Sequence, residues 1–92
     1  MTETIERIEE RQGSGLDENA RVIVLNDNHN TFEGVAFALS RTLPGVSYDR
    51  GMELANTIHT RGRAIVWTGP REPAELYWQQ LRDFGLTMAP LD

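Results

Sequence analysis

Apolar residues recur along the chain with two different spacings, which predict alternating strands and helices. Val22–Leu25 is a short, mostly β-branched run typical of a buried strand, and we predict a first strand over Arg21–Asn26. Helical spacing follows over residues 31–43 and stops at Pro44 and Gly45. The apolar positions of this first predicted helix are Phe32, Val35, Ala36, Leu39 and Leu43.

A second helix is predicted over Tyr48–Thr60, with Ser47 as its N-cap and Gly62 after its end. One stripe along this helix consists of Met52, Ala55 and His59. A lone histidine at the end of an apolar stripe is usually a half-buried residue without a role. This stripe can also form one wall of a pocket that has a polar mouth.

The last part of the chain predicts a strand, a third helix and a short final strand. Alternation indicates a strand over Arg63–Thr68, Pro73 suits the first helical position, Gly85 closes the helix, and Thr87–Leu91 follows as a strand. The strand would place Ile65 and Trp67 on one side and Ala64 and Val66 on the other. The order β-α-α-β-α-β predicts an α+β fold, with helices packed on a three-stranded antiparallel sheet.

Residues 1–20 have a different composition from the rest of the chain. They are rich in Glu and Arg, contain the run Gln-Gly-Ser-Gly, and have few large apolar side chains. Such a segment cannot bury enough apolar surface to fold alone. We therefore predict a flexible N-terminal extension over residues 1–20 and one folded domain over residues 21–92.

A polar loop connects the first strand to the first helix. Asn26–Asn30 consists of turn-forming residues with side-chain acceptors. Asn30 and Glu33 have the spacing of a capping box, which predicts that the helix starts at Thr31. Loops in this position often carry the binding site of a small α/β protein.

Charge and composition exclude several classes of function. The chain has a net charge of -5, and all nine basic residues are arginines. An acidic chain without lysine is a poor candidate for binding nucleic acid, and it can form no Schiff base. Without cysteine it has no disulfide or thiolate zinc site. No segment has the length of a membrane span or the pattern of a signal peptide, so a cytoplasmic (or stromal) location is expected.

Catalytic and metal sites have little support in the sequence. No nucleophile elbow is present, and the calcium-loop spacing that starts at Asn26 fails because Phe37 stands where a bidentate glutamate is required. Asp27, His29 and His59 could bind a metal but lack any ligand-spacing signature. We therefore predict no cofactor, no metal and no catalytic residue.

The chemistry of the loop suits a different ligand, an α-ammonium group. Such a group has donors and a positive charge, so its host must present acceptors. Asn26, Asp27 and His59 provide an amide oxygen, a carboxylate and a neutral imidazole nitrogen.

Three motifs together resemble the ClpS adaptors, the N-end rule adaptors of the ClpA/ClpC–ClpP protease. They are Leu-Asn-Asp-Asn at residues 25–28 before a helix, Ile-His-Thr-Arg-Gly-Arg-Ala-Ile at residues 58–65, and Pro-Ala-Glu at residues 73–75. The resemblance extends over residues 21–91. It implies a non-enzymatic adaptor that binds substrate proteins with a bulky apolar N-terminal residue and delivers them to a ClpA/ClpC-type unfoldase.

The resemblance also implies roles for individual residues. Asn26, Asp27 and His59 would hold the α-amino group and the first peptide unit, Glu72 would help to dock the N-domain of the unfoldase, and the N-terminal extension would drive hand-over of the substrate. The pocket for the first side chain would be formed by Asn30, Phe32, Met52, Ala55 and Ile58, with Leu86 or Met88 as its last wall.

This chain departs from the family pattern at several of these positions. Asn28 stands where the family usually has a second aspartate, Phe32 ends a run that is usually Thr-Pro-Met, Ala55 replaces a pocket methionine, and Tyr77 replaces a basic docking residue. Two alternatives stay open. One is a Clp-binding regulator that does not recognise N-termini, and the other is a small enzyme that uses His59 and Asp27 as an acid–base pair.

Overall fold

A computed structural model of the chain describes residues 19–91 and has the predicted order of elements. The elements are β1 (Asn19–Leu25), α1 (Phe32–Thr42), α2 (Tyr48–Arg61), β2 (Arg63–Pro70), α3 (Arg71–Asp83) and β3 (Thr87–Met88). The predicted α+β class is confirmed. None of the described helices is long and apolar enough to cross a membrane.

The start of β1 lies inside the segment that we assigned to the extension. Asn19 and Ala20 are already part of the strand, and Ala20 is 2% exposed. The rest of the predicted extension, residues 1–18, lies outside the described residues, so its flexibility stays a prediction.

The sheet is antiparallel with the strand order β2-β1-β3, so β1 is central. Pairing shifts between Val22, which is opposite Trp67, and Ile23, which is opposite Ile65, so that β2 carries one extra residue. The bulge changes the alternation of side chains. Trp67 therefore packs against the core, whereas Ile65 is 48% exposed. The prediction that these two residues share a side was wrong.

Helices α1 and α2 pack against each other at close range. Gly51 is buried, and a Cβ atom at this position would lie 2.7 Å from the carbonyl oxygen of Ala36. This contact brings α2 close enough to present Ala55, Ile58 and His59 next to the loop that follows β1. The core consists mainly of the inward residues of β1, α1 and α2, closed by Ala74 and Leu81 of α3.

The third helix and the last strand differ from their predicted bounds. The helix begins at Arg71, and Pro73 lies in its first turn, where a missing N–H costs no intrahelical hydrogen bond. The final strand is only two residues long. Beyond it, the N–H of Ala89 donates to the carbonyl of Ile23, and Pro90 then has no N–H with which to continue the pairing.

Candidate functional site

The loop between β1 and α1 is fixed at its first residue by the turn between α2 and β2. The N–H of Asn26 donates to the carbonyl of Gly62 at 2.9 Å. Gly62 caps α2 with a φ of 91°, a left-handed conformation that glycine adopts without strain. The loop therefore begins beside the C-terminal end of α2, which carries His59.

The carboxylate of Asp27 accepts four hydrogen bonds. One oxygen accepts from the backbone N–H groups of His29 and Asn30 at 3.0 and 2.8 Å. The other accepts from the side-chain amide of Asn30 at 2.7 Å and the hydroxyl of Thr87 at 2.8 Å. A carboxylate offers about four acceptor positions, so all of those of Asp27 are in use.

These bonds also determine the charge of Asp27. Burial of the side chain, which is 13% exposed, would raise the pKa of this carboxyl. The four hydrogen bonds from Asn30, Thr87 and His29 outweigh burial and hold the pKa of Asp27 well below its ordinary value. The group is therefore an anion throughout the neutral and mildly acidic range.

Asn30 connects the loop to the far end of the chain and does not cap the helix. Its amide donates to Asp27 and to the carbonyl of Gly85 at 3.0 Å. The N-cap is Thr31, whose hydroxyl accepts from the N–H of Gly34 at 2.9 Å. The predicted capping box with Asn30 was wrong, because the side chain of Asn30 is held by partners elsewhere.

A small pocket of about 50 Å³ opens between this loop, α1 and α2. It has apolar walls from β1, α1, α2 and Leu86, and polar groups from the loop and His59. Its lining consists of Val24, Leu25, Asn26, Asp27, Asn30, Thr31, Phe32, Val35, Ala55, Ile58, His59 and Leu86.

The structure brings together seven of the eight residues that we expected to hold an amino group or a first side chain. Met52 is the exception, since it is half-buried one turn before Ala55 and does not line the pocket. Leu86, one of two candidates for the last wall, does line it. Sequence reasoning missed Thr87, the fourth donor to Asp27, because nothing local connects two residues that are 60 positions apart.

Phe32 contacts His59 within the pocket. The ring centroids are 5.3 Å apart and the planes meet at 62°, an edge-to-face arrangement. Phe32 is half-buried against the core, while His59 is exposed. The imidazole therefore borders both the apolar interior of the pocket and solvent.

A metal site does not form from the three residues that we considered for it. The Nε2 atom of His29 lies 3.8 Å from Asp27, but the His29 side chain is 70% exposed. Within residues 19–91, no group of three or more His, Cys, Asp or Glu side chains could hold a metal ion.

The predicted docking residue lies away from the pocket lining. Glu72 is exposed in the first turn of α3. On the same helix, Tyr77 is half-buried and packs edge-to-face on Trp67, with ring centroids 5.0 Å apart. An aromatic residue with this contact has a packing role that a basic side chain at position 77 would not have.

A family model described as "ATP-dependent Clp protease adaptor protein ClpS" matches residues 4–89. The chain belongs to the ClpS family. ClpS proteins are named as adaptors of the Clp protease and not as enzymes. There is therefore no reason to interpret His59 and Asp27 as a catalytic acid–base pair.

Relatives in cyanobacteria and plants support the assignment. The ClpS adapters of Nostoc sp. and Synechocystis sp. are each 58% identical over 74 residues, covering 80% of this chain and 76% of the relative. The chloroplastic adapter CLPS1 of Arabidopsis thaliana is 36% identical over 66 residues, covering 72% of this chain and 42% of the relative.

A solved structure has the same fold. It is Agrobacterium tumefaciens ClpS2 bound to L-phenylalaninamide, with a TM-score of 0.74 and 26% identity. The match covers 82% of this chain and 98% of that one.

The four bonds to Asp27 lead to a prediction about stability. Asp27→Asn replaces the carboxylate with a neutral amide, which is a weaker partner for the four donors. We therefore expect a loss of about 1.5–3 kcal/mol in the free energy of unfolding at pH 7. Urea unfolding measures it. The control is Asp83→Asn, at an exposed carboxylate that accepts one bond from Gln79, with an expected change of about 0.5 kcal/mol or less.

The same measurement has a defined pH dependence. Because the pKa of Asp27 is lowered by folding, its contribution is fully present above the ordinary aspartate pKa of about 3.9 and is lost as pH falls through the lowered value. The difference between the parent and Asp27→Asn should stay constant from about pH 7 to 5 and shrink only below about pH 4. Equal stability of the two proteins at pH 7 would contradict this account of the loop.

Proposed function

We propose that this ClpS-family adaptor binds the free N-terminus of substrate proteins whose first residue is bulky and apolar. It would then deliver them to a ClpA- or ClpC-type unfoldase for degradation by ClpP, in the cytoplasm. The proposal rests on one observation, which is that the same pocket has apolar walls inside and polar acceptors at its mouth. Such a pocket suits a side chain that has an amino group directly beside it.

The acceptors for the amino group can be assigned from the hydrogen bonds. Among residues 19–91, the side chains of Asn26 and His59 have no hydrogen-bond partner, so both can accept from an ammonium group. Asp27 has no acceptor position left over. We assign the direct contacts to Asn26 and His59, and to Asp27 the nearby negative charge and the order of the loop.

The related structure supports the proposal that the ligand is a free N-terminus. Its ligand, L-phenylalaninamide, has a free α-amino group, an aromatic side chain and an amide in place of a carboxylate. These are the features of the first residue of a protein chain. A regulator that does not recognise N-termini would have no need of a pocket that combines apolar walls with polar acceptors.

The first test of the proposal is the loss of the imidazole acceptor. His59→Ala should weaken binding of a Leu-initiated peptide about ten- to a hundred-fold, the usual effect of removing an acceptor from a charged donor. His29→Ala is the control and should stay within about two-fold, because its backbone N–H still donates to Asp27. Fluorescence anisotropy of a peptide labelled at its C-terminus measures both affinities.

Acetylation of the peptide completes this test. The contacts that we assign to Asn26 and His59 require a free amino group, so an N-acetylated Leu-initiated peptide should bind much more weakly than the free one. If an N-acetylated peptide bound as well as the free one, the protein would not recognise an amino group and the proposal would fail.

The size of the pocket sets the specificity that we expect. Its volume of about 50 Å³ is a third of the roughly 150 Å³ in which an engineered protein cavity holds benzene. An aromatic first residue therefore requires Phe32 to move, whereas a leucine requires a smaller change. Ala55, which is 3% exposed, lies in the wall of the pocket, so we expect a longer side chain there to reduce the pocket volume.

Substitutions at these two positions should shift the preference in opposite directions. Phe32→Ala enlarges the pocket and should lower the ratio of dissociation constants for Phe- and Leu-initiated peptides by about three-fold or more. Ala55→Met should raise that ratio. Phe84→Ala removes an exposed ring that does not line the pocket, and it should leave the ratio unchanged. An unchanged ratio in the first two variants would mean that the first side chain binds elsewhere.

Delivery to the unfoldase is the second half of the proposal, and it rests on Glu72 by resemblance. Reversing an interface charge costs several kcal/mol, so Glu72→Arg should reduce adaptor-stimulated degradation of a Leu-initiated substrate about ten-fold or more. Peptide affinity should not change, because Glu72 does not line the pocket.

Glu53→Arg makes the same charge change at an exposed position on α2 and should leave degradation nearly unchanged. Full stimulation by Glu72→Arg would move the docking surface elsewhere. The role of the N-terminal extension in hand-over stays a prediction.

A further inference from the structure

Two arginines beside the pocket lack the partners that other arginines have. Arg61 and Arg63 flank Gly62 and are exposed, and within residues 19–91 neither side chain makes a hydrogen bond, an ion pair or a ring contact. Arg21 is engaged. The remaining described arginines are also engaged, Arg50 with Glu53, Arg71 with Glu75, Arg41 over the ring of Phe37 and Arg82 over that of Trp78.

The fold places both of these charges close to the mouth of the pocket. Arg63 is paired with Leu25 in the sheet, and the carbonyl of Gly62 accepts from the N–H of Asn26. Paired strand residues have Cα atoms about 5 Å apart and side chains on the same face, and Leu25 and Asn26 both line the pocket. Arg61 follows His59 by two residues. Each arginine Cα therefore lies within roughly 10 Å of Asn26 or His59.

The opposing charges near the mouth do not cancel this pair. Asp27 is the carboxylate in the pocket lining, and it balances the ammonium group that the proposed function places there. Glu33, in the first turn of α1, contributes one negative charge on the other side. Among residues 19–91, two arginines against one glutamate make this part of the rim positive, on a chain whose net charge is -5. A position at the end of α2 explains the presence of Arg61, but not the lack of a partner for both residues.

We propose that Arg61 and Arg63 select substrates with acidic side chains at the second and third residues. This inference rests on the proposed function. With the first side chain in the pocket and its amino group at Asn26 and His59, the next residues emerge at the rim. Carboxylates there meet two unpaired guanidinium groups, which bind them in charge-assisted hydrogen bonds, whereas lysines are repelled.

The experiment compares peptides that differ only after the first residue. Peptides that begin Leu-Glu-Glu, Leu-Gly-Gly and Leu-Lys-Lys, with the same neutral remainder and a C-terminal fluorophore, are titrated with the full chain. The Glu peptide should bind about ten-fold more tightly than the Lys peptide at low salt, as expected for two exposed charge pairs. At 0.5 M NaCl the difference should fall to about two-fold, because salt screens exposed charges.

Two double variants with the same net charge separate a local effect from a global one. Arg61→Gln with Arg63→Gln should reduce the preference for the Glu peptide to about two-fold or less, while leaving the affinity for Leu-Gly-Gly nearly unchanged. Arg50→Gln with Arg71→Gln removes two arginines that are paired on the other parts of α2 and α3, and it should keep the full preference.

Each outcome is decisive. Equal affinities of the parent for the Glu and Lys peptides, or an equal loss of preference in both double variants, would overturn the inference. If Leu-Gly-Gly nevertheless bound only with a free amino group, the proposed function would stand while this inference failed. If Leu-Gly-Gly failed to bind, or bound equally well when N-acetylated, the proposed function would fail and this inference with it.

Discussion

Four hydrogen-bond donors converge on the carboxylate of Asp27, and the pocket end of the domain is arranged around this anion. Two donors are backbone N–H groups of the loop itself, one is the amide of Asn30, and one is the hydroxyl of Thr87 in β3. The same amide of Asn30 also bonds Gly85, so the turn that carries Leu86 is held against the loop. The half-buried charge therefore fixes both the polar mouth and the last apolar wall.

This arrangement separates two roles that a carboxylate can have in binding an ammonium group. A carboxylate with free lone pairs can accept from the ligand directly, but that of Asp27 would have to give up an existing bond to do so. Its charge still acts at short range, because its pKa lies well below the ordinary value and the group stays ionised. In the proposed function, acceptors on Asn26 and His59 make the directional bonds, while Asp27 provides a negative charge close by.

The elements of the fold could be predicted from the sequence because their signals are local. Helical spacing in α1 and α2, the cap at Ser47 and the glycine at position 62 all depend on residues within a few positions of one another. The errors have long-range causes. The bulge that moves Trp67 towards the core depends on pairing with Val22, and the N-cap of α1 falls on Thr31 because the amide of Asn30 is held by Gly85, 55 positions away.

The candidate site was predictable in its residue types and less so in its shape. An ammonium group requires acceptors, and this requirement indicates Asn26, Asp27 and His59 from the sequence alone. The resemblance to ClpS indicates the apolar positions. Neither argument gives the volume of the pocket, because volume depends on rotamers and on contacts between helices. Met52 is on the predicted stripe of α2 but outside the lining, and the orientation of Phe32 follows from its contact with His59.

The edge-to-face contact of Phe32 with His59 joins the two parts of the proposed site. In the proposed function, a large first side chain would displace Phe32, and this movement would remove a packing partner from the imidazole to which we assign a contact with the amino group. A ligand whose own ring or aliphatic chain replaces Phe32 against His59 restores that contact, whereas a small first residue leaves Phe32 in place and the pocket unfilled. In the proposed function, recognition of the amino group and of the side chain would therefore be coupled through one imidazole. Selectivity for bulky first residues would then arise from contacts that also position the acceptor, and not from the volume of the pocket alone.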